Sequence, residues 1–179
     1  EKKLYRDGVG INHYSLHANM FALNVGLVPE TCKRPVIEFI KSKGMACSVY
    51  GSQYLLEALF DNDEPSTALS LMTDTGDRGW LHMLDLGSTM TMEAWDEKYK
   101  PNLTWNHAWG SAPANIIPRK LFGIEPMEPG FASVQIRPRF GNLKQASLKY
   151  PTIRGPIKVT WDSEAKKPLV IELPANMKG

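Results

Sequence analysis

"GSQYLLEALFDNDEPSTALSLMTDTG", residues 51–76, carries two apolar runs separated by a polar stop. In the first run Tyr54, Leu55, Leu59 and Phe60 supply one apolar face of a helix. "DNDEP" then gathers acids, Asn and Pro, which favour a turn over continued helix. Ala68, Leu69 and Met72 form the next apolar face. The stretch therefore predicts a helical hairpin.

The same period extends upstream. "SLHANMFALNVGLV", residues 15–28, places Leu16, Met20, Leu23 and Leu27 on one helical stripe, with Gly26 as the expected stop and Pro29 barring continuation. "ETCKRPVIEFIKSKG", residues 30–44, predicts a second short helix that ends at Gly44. Downstream, "NHAWGSAPANIIPRKLFGI", residues 106–124, predicts a last helix in which Pro113 and Pro118 impose a first-turn proline or a kink. Near Gly123 the pattern changes. "SVQIRPRF", "QASLKYPTI", "GPIKVTWD" and "PLVIELP" are short runs with alternation and β-branched residues, bounded by Gly, Pro and Asn. They predict antiparallel strands. "GIEPMEPGF" is read as the linker, and the expected domains are residues 1–123 and 124–179. The fold class is mainly α with a C-terminal β domain. Four strands fall short of the roughly seven that close a β-sandwich, so the chain is expected to be a piece of a longer protein.

Composition narrows the functions. Of 179 residues, 42% are hydrophobic and 22% charged, which is enough apolar material for a core. The net charge of +2 is scattered and gives no basic surface for nucleic acid. No apolar run approaches the ~20 residues that span a bilayer. Cys32 and Cys47 fit no metal motif and read as free thiols. His13 and His17 stand four apart, but there is no "HExxH" and no third ligand, so neither metal nor cofactor is expected.

Chemistry concentrates between Asp74 and Ser111. "STMTMEAW", residues 88–95, sets Glu93 between Met92 and Ala94. Either this Glu faces solvent, or it stands in a cleft as a general base. A base has to reach water and stay ionised; apolar neighbours raise its pKa and a nearby cation restrains the rise. Four of the five tryptophans, Trp80, Trp95, Trp105 and Trp109, share this window with Asp77, Arg78, His82, Asp96 and His107. Rings flanked by carboxylates and imidazoles suit a sugar, and large rings equally suit packing between helices. His107, in "TWNHAWGS", fits a bond to a substrate hydroxyl or a structural role at a helix start.

"GSTMTMEAWD", then "WNHAWGSAPANIIPRKLFGIEPMEPGF", then "IRPRFGNL" and "TIRGPIKVTW" together resemble the C-terminal part of bacterial α-L-rhamnosidases. The resemblance extends to "SLHANMFALNVGLVPE" and "YGSQYLLEALFD", nearly the whole chain. It implies part of an (α/α)6 toroid of helical hairpins followed by an antiparallel β-sandwich, incomplete at both ends. It implies hydrolysis of terminal α-L-rhamnosides with inversion, acting on a rhamnose-containing glycoside or polysaccharide. Matched to the family's motifs, Glu93 inherits the general base and His107 a sugar contact. Trp80 matches a tryptophan near the sugar pocket, and Trp95 and Trp105 are read as further substrate contacts. The family's general acid lies upstream of these motifs, and nothing in residues 1–179 matches it, so the chain alone is expected to be inactive. A periplasmic or secreted site suits a polysaccharide degrader. Two other readings remain open: a non-catalytic sugar-binding or structural module, and another glycosidase or lyase on the same toroid.

Overall fold

Helix formation begins where its cap stands. α1, Leu16–Asn24, is capped by Ser15, whose hydroxyl accepts the Ala18 amide at 3.1 Å. It closes at Gly26, φ +71°, with Leu27 N–H on the Ala22 carbonyl at 2.9 Å and Gly26 N–H on that of Leu23 at 3.2 Å. That paired closure needs a left-handed residue, which glycine supplies without strain. The computed structural model describes residues 3–179. The segment ahead of α1 is clasped by buried Asn19, which donates to the Tyr5 and Ser15 carbonyls at 3.0 and 2.9 Å and accepts the Tyr5 amide at 3.0 Å.

α2, Glu30–Lys43, runs through Pro35 and ends at Gly44. The hairpin forms as expected from α3, Ser52–Asp61, and α4, Pro65–Met72, with Asp63 in the left-handed region between them. α3 packs against α1 and α4, and its Leu55, Leu56, Ala58, Leu59 and Phe60 are wholly buried. A helix apolar around so much of its circumference belongs in the middle of a layer. Lys41 of α2 reaches Glu64, the residue before α4, at 2.9 Å. One further helix, α5, Trp80–Asp85, was not anticipated. Its six residues are under two turns, too few for a period to show.

The chain divides into two units, one ending at Pro113 and one running from Ala114 to Gly179. The expected last helix is broken into a 3₁₀ turn at Ala108–Gly110, α6 at Ala112–Ile116, and a π turn at Ile117–Leu121. Pro113 lies in the first turn of α6, where its missing N–H is harmless, and Pro118 opens the wider turn.

The strands of the second unit pair antiparallel, and one isolated parallel bridge joins Ser133 to Lys178. The expected linker holds a strand, β1, Ile124–Pro126, which pairs with β2, Val134–Ile136, in register Glu125 with Gln135. β3, Gln145–Tyr150, β4, Ile157–Asp162, and β5, Leu169–Glu172, form a meander in that order. β4 buries Ile157 and Val159 while Lys158 and Thr160 face out, the two-residue period of a half-buried strand. Phe140 stacks on Trp161 at 5.3 Å and meets Phe122 edge-on at 5.2 Å, closing the core of this unit. Among the described residues no helix is long and apolar enough to cross a membrane.

Candidate active site

Residues 87–107 form a long loop with neither helix nor strand. Its anchors are apolar: Met92 is fully buried and Trp95 nearly so, its indole N–H on the Cys47 carbonyl at 2.8 Å. Glu93 therefore stands between two inward-facing side chains. Residues 91–93 lie against 104–107, with Glu93 N–H on the Thr104 carbonyl at 2.9 Å and His107 N–H on the Thr91 carbonyl at 2.8 Å. The Thr91 hydroxyl donates to the His107 carbonyl at 2.9 Å, and the Trp109 indole to that of Glu93 at 3.2 Å. Gly110 makes this fit possible, because a Cβ there would sit 2.7 Å from Thr91 Cβ and 2.8 Å from the Met92 carbonyl.

The Glu93 side chain is 12% exposed. Lys100 Nζ pairs with Oε1, while the Thr104 amide and hydroxyl donate to Oε2 at 3.0 and 3.2 Å. The Lys100 ammonium, helped by the Thr104 amide and against the opposing pull of burial, brings the carboxyl down to a pKa of about 2. The cation outweighs the apolar neighbours, and Glu93 is ionised at any ordinary pH.

Glu93 opens onto a cleft of about 620 Å³ whose walls include His17, Tyr50, Arg78, Trp95, Lys100 and Trp109. That volume is in the range of small-molecule sites. Three rings of its wall, Trp109, Tyr50 and His17, belong to a run of six in contact: His107 on Trp109 at 4.2 Å, Trp109 to Tyr50 at 5.4 Å, Tyr50 to Tyr54 at 5.7 Å, Tyr54 to Phe21 at 5.1 Å, and Phe21 to His17 at 6.5 Å. Tyr50 and Trp109 remain 48% and 44% exposed, so their faces are open to a ligand. Such faces can stack against the C–H side of a sugar ring.

The sequence-selected residues fare differently. Trp95 lines the cleft, and His107 sits beside it on Trp109. Trp80 packs edge-on against Trp95 at 4.9 Å and donates its indole N–H to the Gly110 carbonyl at 2.7 Å, which ties the loop from behind. Trp105 is 41% exposed and stands outside the cleft lining. His82 and Asp96 bond at 2.7 Å, and Lys98 reaches Asp77 at 2.5 Å, two further ties on the loop. Lys100, Thr104, Tyr50 and Arg78 complete the arrangement without having been singled out as site residues. A lysine seven residues past Glu93 carries no periodic signal, because a turn of irregular chain brings it back. His13 bonds Asp7 outside α1, whereas His17 lies on α1 in the cleft wall. Their four-residue spacing is thus not that of one helix face. Among the described residues no three His, Cys, Asp or Glu are grouped to hold a metal ion.

Comparison with known proteins finds two family matches. The bacterial alpha-L-rhamnosidase 6 hairpin glycosidase domain matches residues 1–121, and the bacterial alpha-L-rhamnosidase C-terminal domain matches residues 123–179. No curated protein matches. Among solved structures, the Streptomyces avermitilis alpha-L-rhamnosidase complexed with L-rhamnose is 22% identical with a TM-score of 0.76, over 97% of this chain and 18% of that one. The Aspergillus terreus alpha-L-rhamnosidase is also 22% identical at TM-score 0.76, over 98% and 22%. The rhamnosidase of Bacillus sp. GL1 is 21% identical at TM-score 0.74, over 99% and 21%. The chain thus spans about a fifth of the length of these structures, and at such identities the likeness is one of fold.

Proposed function

The chain belongs to the bacterial alpha-L-rhamnosidases, and from that premise we propose that it supplies the base half of an inverting glycoside hydrolase acting on terminal α-L-rhamnosides. The observation that carries this reading is the Glu93 carboxylate, ionised and opening onto an aromatic-walled cleft. In the proposed step Glu93 takes a proton from a water molecule as its oxygen bonds the anomeric carbon. The glycosidic C–O bond breaks, and the leaving oxygen receives a proton from a carboxylic acid on the opposite side of the sugar. In inverting enzymes the two carboxyl groups stand about 6.5–9.5 Å apart, leaving room for that water. Among the described residues lining the cleft, Glu93 is the one carboxylate. The acid is accordingly assigned to a part of the full-length protein beyond residues 3–179, and this chain alone is expected to give no turnover. Trp95, His107, Tyr50 and Trp109 are the proposed sugar contacts, with Trp80 supporting Trp95.

The test is Glu93→Gln in the full-length protein that carries this chain, assayed on an aryl α-L-rhamnoside. Turnover is expected to fall by about three orders of magnitude or more, the scale of losing a general base together with its hold on water. Azide is expected to restore it as the inverted glycosyl azide. A variant that keeps its rate removes Glu93 from the mechanism. The exposed ring run also favours a second reading, a module that binds rhamnosides without cleaving them. Unchanged rhamnose binding by a protein whose turnover is nil with or without Glu93 would select it.

A further inference from the structure

We propose that Lys100 is a positioning residue for Glu93, holding the carboxylate anionic and in one orientation at the mouth of the cleft. This rests on Glu93 being the general base. The geometry leaves little freedom in the carboxylate, since Lys100 Nζ holds Oε1 while the Thr104 amide and hydroxyl hold Oε2. The two sides are not equivalent. Thr104 is fixed to Glu93 through the backbone as well, by the Glu93 N–H on its carbonyl. Lys100 arrives on a flexible four-carbon stem and carries the charge, and its side chain is 40% exposed at the cleft. The neutral donors set the direction of the carboxylate, and the ammonium disfavours its protonated form.

The other charged or titratable groups around the cleft do not duplicate this role. His17 comes from α1, Cys47 and Tyr50 from the segment between α2 and α3, Arg78 from ahead of α5, and Tyr99 from the loop itself. Arg78 is turned over the Tyr99 ring at 4.6 Å. Lys98, the nearest other lysine in sequence, is committed to Asp77 at 2.5 Å. Removing the Lys100 ammonium should therefore release Glu93 toward the ordinary glutamate pKa of ~4.3.

Three variants of the full-length protein test this, Lys100→Met, Lys100→Arg and Glu93→Gln. With Lys100→Met the acid limb of the kcat/KM profile is expected to move up by one pH unit or more. One unit below the new limb about a tenth of the variant's base is ionised, so kcat/KM should lie about fivefold under that of the unsubstituted protein for a one-unit move and about tenfold for a larger one. Lys100→Arg should keep the limb where it was. A ¹³C titration of the Glu93 carboxyl in the folded proteins reads the same shift without turnover. Limbs and titrations that coincide for Lys100→Met and the unsubstituted protein would overturn the proposal. So would an arginine variant displaced as far as the methionine one, since lost packing rather than lost charge would then be the cause. Full activity in Glu93→Gln would instead remove the base assignment, and the carboxyl titration would still report on the Lys100 contact.

Discussion

Two thiols show how strongly position decides a side chain's chemistry. Cys47 lies buried beside the cleft, and burial pushes its thiol up to about 12; Cys32 is half-exposed on α2. The thiolate is the reactive species, so brief iodoacetamide treatment of the folded chain at pH 8 should label Cys32 and spare Cys47. Mass spectrometry of the digest reads the outcome, and comparable labelling at both sites would contradict the burial of Cys47. Glu93 is the converse case, a carboxyl pulled down by a neighbouring cation. Its candidacy was legible because motif and aromatic surroundings coincide within a short window. Lys100 and Thr104 were not legible as its partners. They meet Glu93 only because the loop turns back on itself, and no spacing rule describes an irregular loop. Trp105, read as a further substrate contact from the aromatic window, stands exposed outside the cleft lining, because the irregular loop that carries it sets no common face for its rings.

At the level of elements, the hairpin of α3 and α4 and the end of α1 at Gly26 followed directly from period and punctuation. The failures lie where an element is too short for a period. α5 has six residues, β1 three, and the proline-broken stretch after His107 divides into three short turns. β1 was hidden inside "GIEPMEPGF" because its two prolines read as linker, yet Pro126 tolerates an edge position that asks nothing of its missing N–H. The entry to β1 depends on Gly123, φ +66°, where a Cβ would sit 2.0 Å from the Arg137 carbonyl oxygen. Gly123→Ala thus combines a left-handed backbone with a collision against main chain. We expect it to cost about 2–4 kcal/mol, read as a lower urea midpoint for the β unit. Gly26→Ala, with nothing within 4 Å of the added carbon, should cost only about 1–2 kcal/mol. Equal losses at the two sites would mean that contact with Arg137 does not matter.

At the scale of the whole molecule, the carboxyls drawn down by their partners lie, among the described residues, between positions 7 and 96. Asp7 is lowered to about 2 by His13 and Ser15, Glu64 is lowered chiefly by Lys41, Asp77 by Lys98, Asp96 by the Lys98 amide and His82, and Glu93 by Lys100. A carboxyl whose pKa drops on folding binds its proton more weakly in the native chain than in the unfolded one. Its stabilisation is complete above the unfolded value near 4 and drains away as pH falls through the folded value. The urea midpoint of the helical signal at 222 nm should accordingly stay level from pH 7 to about 5 and fall between about 4 and 2. A midpoint that rises on acidification would contradict these pairings. The division into a helical and a strand-rich part was legible at this scale, because the change from one period to the other is abrupt near Gly123. The pairing of residues 91–93 with 104–107 also bears on how such a chain can drift. Paired segments form the neck of a loop, and length changes beyond a neck leave what lies behind it in place. Insertions or deletions around Pro101 and Asn102 can be absorbed with Glu93 still facing the rings. One residue added between Thr104 and His107 slips the register and turns the carboxylate away, so tolerance to indels should stop abruptly at Thr104.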